Sequence, residues 1–222
     1  MGAGFFRDWH RSLPGIRVVS VQLPGREERF GEPALTDSRA IARAVARAIE
    51  AQEWPRVVLL GYSFGALLAF ETARLLEGRG RCAVPAVIAC ARGAPQEAPR
   101  SSIADGPDEA FVAYLRSLGG LPPEVDNDPV LLDFFLPLIR ADFRANDSYH
   151  ATGDERIDAP IVTLVGSADA ATRDDLGQAW KHRTRATHDL VEIEGGHFFV
   201  LDNKTATFAA IAKILGSFDQ SS

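Results

Sequence analysis

Val57-Val58-Leu59-Leu60-Gly61-Tyr62-Ser63-Phe64-Gly65-Ala66-Leu67-Leu68-Ala69-Phe70-Glu71 passes from an apolar run, through a glycine-flanked serine, into a second apolar stretch of helical character. Val57 to Leu60 reads as a strand apolar on both faces, as a central strand of a parallel sheet should be. Gly65 to Leu76 reads as a helix, closed by Gly78 and Gly80. A G-x-S-x-G pentapeptide alone says little, but between a strand and a helix it has the context of a nucleophile elbow. There the serine sits on a strained turn, and glycine at the −2 and +2 positions (Gly61 and Gly65) relieves crowding between neighbouring backbones. The helix N-terminus just beyond favours negative charge developing at the reacting carbonyl, with the backbone N–H of Phe64 as donor. The plainer reading is a serine that merely packs a strand onto a helix.

Outward from this segment, short β-branched runs alternate with helical patterns, the pattern of an α/β fold in which a mostly parallel sheet carries helices on both faces. Ile16 to Val21 reads as the first strand, ending at Pro24-Gly25. A helix follows, capped by Thr36, Asp37 or Ser38, with Ile41, Val45, Ala48 and Ile49 on one face. Further strands are expected at Ala86 to Ala91, Ile161 to Val165 and Leu190 to Ile193, and a last helix from about Asn203 to Leu215. Between the strands at Ala86 and Ile161 the alternation fails. Asp108 to Leu118 and Pro129 to Asn146 pattern as helices around Gly119-Gly120-Leu121-Pro122-Pro123. A structureless loop of that length would be out of keeping with a compact domain. The expectation is one domain over residues 1–222, with a helical lid inserted at about 97–150 over the carboxyl ends of the strands.

Composition narrows the function. The 222 residues are 46% hydrophobic and 24% charged, enough to bury a full core. The formal charge of −6 and a pI near 5.4 speak against nucleic acid as a partner. No apolar run approaches the roughly 18 residues of a membrane span. Two cysteines, Cys82 and Cys90, are too few for a disulfide scaffold, and a reduced cytoplasmic protein is expected.

A serine needs a base. Of the five histidines, His10, His150 and His182 follow no strand, and His188 stands at the amino end of one. His197 lies just past the carboxyl end of Leu190 to Ile193, through Gly195-Gly196, on the edge expected to carry Ser63. The base needs an acid to hold its tautomer. Asp169 comes straight after the strand at Ile161, also at its carboxyl end. Asp174 and Asp175 suit the start of a helix, and Asp202, five residues beyond His197, is an alternative. The chain order Ser63, Asp169, His197 is that of the α/β-hydrolases. The rival for His197 is a buried structural role.

With these residues in place, the chain resembles the type II thioesterases of polyketide and nonribosomal peptide assembly lines, within the α/β-hydrolase superfamily. The resemblance rests on Gln22-Leu23-Pro24-Gly25-Arg26-Glu27-Glu28-Arg29, on the Ser63 segment, on Leu118-Gly119-Gly120-Leu121-Pro122-Pro123-Glu124-Val125, on Leu138-Ile139-Arg140-Ala141-Asp142-Phe143 and on Gly195-Gly196-His197-Phe198-Phe199. It implies hydrolysis of aberrant or stalled acyl groups from the phosphopantetheine arm of acyl or peptidyl carrier proteins, an editing role. It implies Ser63, His197 and Asp169 as the catalytic residues, and no metal or organic cofactor. Family members also begin with a strand and an Ala-Gly-Gly-type loop ahead of the segment matched by Phe6-Arg7-Asp8-Trp9. Here the sequence opens at Met1-Gly2-Ala3-Gly4, so the first family strand is expected to be missing. In the family that loop carries the second oxyanion donor, so either the start was assigned late, or residues Met1 to Gly4 supply the donor, or turnover is impaired.

Phe134, Phe135, Leu136, Phe143 and Tyr149 are candidates for an apolar lid lining, and equally for packing of the insertion onto the body. Arg26, Arg29, Arg140 and Arg144 are candidates for the phosphate or an acidic carrier surface. Two other functions suit the same residues: a small-molecule carboxylesterase, and a non-catalytic hydrolase homologue that binds carrier protein.

Overall fold

The computed structural model describes residues 2–95, 103–151, 153–170, 172 and 175–219. Among them the sheet has four strands: β1 (Leu59–Tyr62), β2 (Val87–Cys90), β3 (Ile161–Gly166) and β4 (His188–Ile193). They lie side by side in chain order, every neighbouring pair parallel, with Leu59 opposite Val87, Val87 opposite Ile161 and Ile161 opposite His188. The helices are α1 (Trp9–Ser12), α2 (Ser38–Glu50), α3 (Phe64–Arg79), α4 (Asp108–Ser117), α5 (Pro123–Asp126), α6 (Pro129–Asp147), α7 (Phe199–Asp202) and α8 (Lys204–Asp219).

Alternation along the strands divides the core in two. Val87, Ala89 and Ile161 face one layer, where Phe70, Ala73 and Leu76 of α3 and Ile49 of α2 pack with Trp180. Ile88, Cys90, Val162 and Leu164 face the other, where Trp9, Phe199 and Ile211 and Ile214 of α8 close it. Helices therefore cover both faces, and β2 and β3 are buried along their whole length. α2 begins where Asp37 accepts a hydrogen bond from the Ala40 amide, and α3 ends on Gly80 in the left-handed region. Among the described residues no helix is long and apolar enough to cross a membrane.

Two expectations at the start of the sheet are corrected. Ile16 to Val21 belongs to no strand, and Val19 and Val21 are 52% and 50% exposed. β1, expected at the centre, is the edge strand, and its first residues are only half-buried. One cause accounts for both. A strand forms only against a ladder partner, and among the described residues nothing pairs with Ile16 to Val21 or with the outer edge of β1. Both faces of Val57 to Leu60 are apolar, yet only pairing on both edges would make the strand central. The ladder also starts two residues later than the apolar run, because Val57 donates to Ala83 outside the regular strand.

The insertion between β2 and β3 is helical. Of its expected span, 97–102 lies outside the described residues. Phe111, Val112, Leu115 and Leu136 give it a small core of its own, while Ala145 of α6 packs on Ile41 of α2 and Leu68 of α3. Its far end is tied by polar contacts. Tyr149 donates to buried Glu71 of α3 at 2.8 Å, Arg74 donates to Glu71 at 2.9 Å, and Arg39 of α2 pairs with Glu155 at 2.8 Å. Burial and the neighbouring Glu71 carboxylate push the Tyr149 phenol well above its ordinary value, so it remains a donor. The helix expected at Asp174 and Asp175 is not seen. Asp174 lies outside the described residues, and Asp175 sits in a turn before a 3-10 segment at Gln178–Arg183.

Candidate active site

Ser63 stands between β1 and α3 with φ +53° and ψ −119°, a conformation that costs a non-glycine residue energy and is held only by its surroundings. Its amide is fixed by the Cys90 carbonyl at 2.8 Å, which carries the β1–β2 ladder one residue beyond the strand. The glycine demand falls on Gly61: a Cβ there would lie 2.0 Å from the Gly65 carbonyl oxygen. Gly65 itself has open space where a Cβ would go, so its part in the turn is the backbone it brings close to Gly61. Phe64 is the first residue of α3, where a backbone N–H has no partner within the helix.

Asp169 and His197 arrive from the neighbouring strands. Gly166 at the end of β3 would, with a Cβ, meet the Gly196 and Gly195 carbonyls at 2.4 and 2.7 Å, so glycine lets the loops after β3 and β4 touch. The Ala168 amide donates to the Gly195 carbonyl at 2.8 Å and locks them together. Asp169, 3% exposed, places Oδ2 3.0 Å from Nδ1 of His197, and Nε2 of His197 lies 3.3 Å from Oγ of Ser63. Asp202, the alternative acid, is exposed at the end of α7. His10, His150 and His182 are exposed, and Nε2 of His188 bonds Thr163 within the sheet at 2.9 Å. An alcohol, an imidazole and a buried carboxylate thus form one hydrogen-bonded chain at the carboxyl rim of the sheet. It can carry a proton away from the hydroxyl as Oγ attacks a carbonyl.

The sequence profile of the thioesterase domain matches residues 2–215. The chain belongs to the thioesterase family. Relatives of the thioesterase include the gramicidin S biosynthesis protein GrsT of Aneurinibacillus migulanus, 34% identical over 91% of this chain and 80% of that protein. Thioesterase PikA5 of Streptomyces venezuelae is 34% identical over 89% of this chain and 71% of its own length. Among solved structures, the type II thioesterase BorB from the borrelidin biosynthetic cluster superposes with a TM-score of 0.86 at 33% identity, over 96% of this chain and 87% of that one. The enzyme is a hydrolase acting on thioesters, with the α/β-hydrolase fold and the type II class expected from its motifs.

The arginines weighed as partner contacts are engaged within the thioesterase. Arg26, 7% exposed, makes two bonds to Asp142 of α6 at 2.9 and 2.7 Å, tying the first loop to the insertion. Arg29 pairs with Glu32, Arg140 with Asp108 and the Ala104 carbonyl, and Arg144 with Asp105. Opposite charges lay within reach, and the Arg26–Asp142 pair links two of the quoted motifs. Of the apolar candidates, Leu136 and Tyr149 are buried, and Phe143 packs on Phe111. Phe134 and Phe135 remain exposed, Phe134 stacked on Phe30 at 4.9 Å. Two of the amides expected to supply a second oxyanion donor, those of Ala3 and Gly4, are also taken. Ala3 N–H donates to the Gln22 side chain at 2.9 Å, and Gly4 N–H to the Glu27 carboxylate at 3.0 Å. Met1 lies outside the described residues.

Proposed function

We propose that this thioesterase acts in trans in polyketide or nonribosomal peptide synthesis. It would release aberrant or stalled acyl groups from the phosphopantetheine arm of acyl or peptidyl carrier proteins. The observation that carries this reading is the hydrogen-bonded run Ser63, His197, Asp169 in a chain related to biosynthetic thioesterases. Oγ of Ser63 attacks the thioester carbonyl while its proton passes to Nε2 of His197, and Asp169 holds the tautomer and stabilises the imidazolium. The tetrahedral oxyanion takes the Phe64 N–H and the amino end of α3. Collapse breaks the C–S bond, and the pantetheine thiol leaves with the proton from His197. Water, deprotonated by His197, then attacks the acyl-Ser63 ester, giving the free acid and restoring the hydroxyl.

The helical insertion, over about 97–150 of a single domain, would act as the lid over this rim, and the apolar pair Phe134 and Phe135 leaves it a surface for an acyl or pantetheine chain. A cytoplasmic site of action fits the free thiols of Cys82 and Cys90. The test compares short acyl-carrier thioesters with oxygen esters of the same acid, using wild type, Ser63→Ala and His197→Ala. The expected result is thioester preference, loss of turnover in both variants, and fluorophosphonate labelling of wild type but not of Ser63→Ala. Equal hydrolysis of the oxygen ester would give the carboxylesterase reading. A wild type that binds carrier without labelling or turnover would give the non-catalytic one.

A further inference from the structure

Tyr62 occupies the variable position before Ser63, where a side chain has no assigned part in the chemistry. It closes β1, pairs with Cys90 of β2 and is 5% exposed. Its ring packs between Phe5 at 6.3 Å and Phe199 at 5.7 Å, with the imidazole of His197 edge-on at 6.0 Å. The phenol donates a hydrogen bond to the backbone carbonyl of His197 and is hydrogen-bonded to the backbone of Val200. Burial above all, with Cys90, Asp169 and Asp202 nearby, pushes the Tyr62 phenol far above its ordinary value, so the proton it donates stays in place.

This bond joins the strand that precedes the nucleophile to the loop that carries the base. Tyr62 and Ser63 are consecutive, and both are held by β2. The loop carrying His197 is held on its other side by the Ala168–Gly195 hydrogen bond, and it contains Gly195 at φ +137°. That bond, and the one the Gly195 amide donates to Ser167 Oγ, reach the loop from the β3 side, whereas the Tyr62 hydroxyl reaches the His197 backbone from β1. The rigid ring of Tyr62 spans the distance from the strand that fixes the nucleophile.

We propose that Tyr62 is a positioning residue: its hydroxyl holds the His197 backbone at the distance that brings Nε2 within 3.3 Å of Ser63 Oγ. The proposal rests on Ser63 and His197 being nucleophile and base. It is tested with Tyr62→Phe on a short acyl-carrier thioester, beside His197→Ala and a thermal melt of each protein. The expected result is a fall in kcat by about 10- to 100-fold, the cost of a misplacement of about 1 Å, with KM unchanged and the fluorophosphonate labelling rate lowered in parallel. Tyr62→3-fluorotyrosine, which keeps the shape and alters only donor strength, changes the rate by a smaller step with no change in melting temperature. This second variant decides the matter if Tyr62→Phe does not fold. Wild-type kcat in either folded variant, alongside an inactive His197→Ala, overturns the positioning role and leaves the base assignment standing. Full activity in His197→Ala instead removes the reading beneath it.

Discussion

Replacing Asp169 by Asn changes one charged oxygen to an amide and leaves the volume almost untouched. In the folded enzyme Oδ2 lies 3.0 Å from Nδ1 of His197, and the residue is 3% exposed, so water cannot take its place. A carboxylate there can only accept, which puts a proton on Nδ1 and leaves the lone pair of Nε2 facing Ser63 at 3.3 Å. An amide that turns its NH2 toward Nδ1 reverses this: Nδ1 accepts, Nε2 carries the hydrogen, and nothing is left to receive the serine proton. The imidazolium also loses its buried counter-charge. Both losses fall on the transition state, so kcat should drop by about 10³–10⁴ with KM little altered, or roughly 4–5.5 kcal/mol. The assay is release of free carrier thiol at saturating acyl-carrier substrate, with circular dichroism to show the variant folded. Asp202→Asn, altering the exposed alternative acid at the end of α7, serves as the comparison and should stay within about twofold. A folded Asp169→Asn enzyme within tenfold of wild type would refute the proton path.

Gly61→Ala drives a Cβ to 2.0 Å from the Gly65 carbonyl and should destabilise by more than about 2 kcal/mol in urea unfolding. Gly78→Ala, exposed and unobstructed near the end of α3, should stabilise by about 0.5–1 kcal/mol in the same assay. Asp142→Ala takes the carboxylate from the guanidinium of buried Arg26. A cost of about 2–3 kcal/mol is expected, below the roughly 3–5 of a fully buried pair because the Asp142 side chain keeps 23% exposure. Burial pushes the Cys90 thiol up to about 12 and raises Cys82 as well. Neither should react with a disulfide reagent at neutral pH until denaturant is added. His188, held below the ordinary histidine value mainly by burial, resists a proton that the unfolded chain accepts. Stability should therefore be full above the ordinary value and decline as pH falls from there toward the lowered one, and His188→Gln should flatten that decline in urea midpoints measured against pH.

Much of the fold could be read locally. β2 coincides with an unbroken apolar run and β3 with one interrupted only by Thr163, because strands buried on both faces have little polar alternation to blur their ends. α3 is legible from the elbow onward, although it runs on to Arg79 where the apolar pattern stops near Leu76. Ile16 to Val21 is as rich in β-branched residues and is no strand, since strand formation needs a neighbour that no local pattern reports. The candidate site was legible because each of Ser63, Asp169 and His197 follows a strand directly, and parallel strands bring their carboxyl ends to one rim. Glu71 was not. A glutamate in an apolar helix carries no sign that Arg74 and the hydroxyl of Tyr149 will satisfy it. Arg26, Arg140 and Arg144 look open to a partner in the sequence because only folding brings Asp142, Asp108 and Asp105 to them, whereas Glu32, the partner of Arg29, stands three residues away.

By itself the order of residues determined which side chains head the strands, where glycine had to stand for the turn at Ser63, and that a helical piece interrupts the sheet. These depend on neighbours a few positions apart along the chain. The tertiary structure decided which strand lies at the edge, which acid of several faces His197, and which charges are spent on internal pairs. Those outcomes depend on contacts across 28 to 134 positions, such as Asp169 with His197 and Ser63 with His197. Their energies are set by burial and by distances of about 3 Å, and neither exists until the layers have packed.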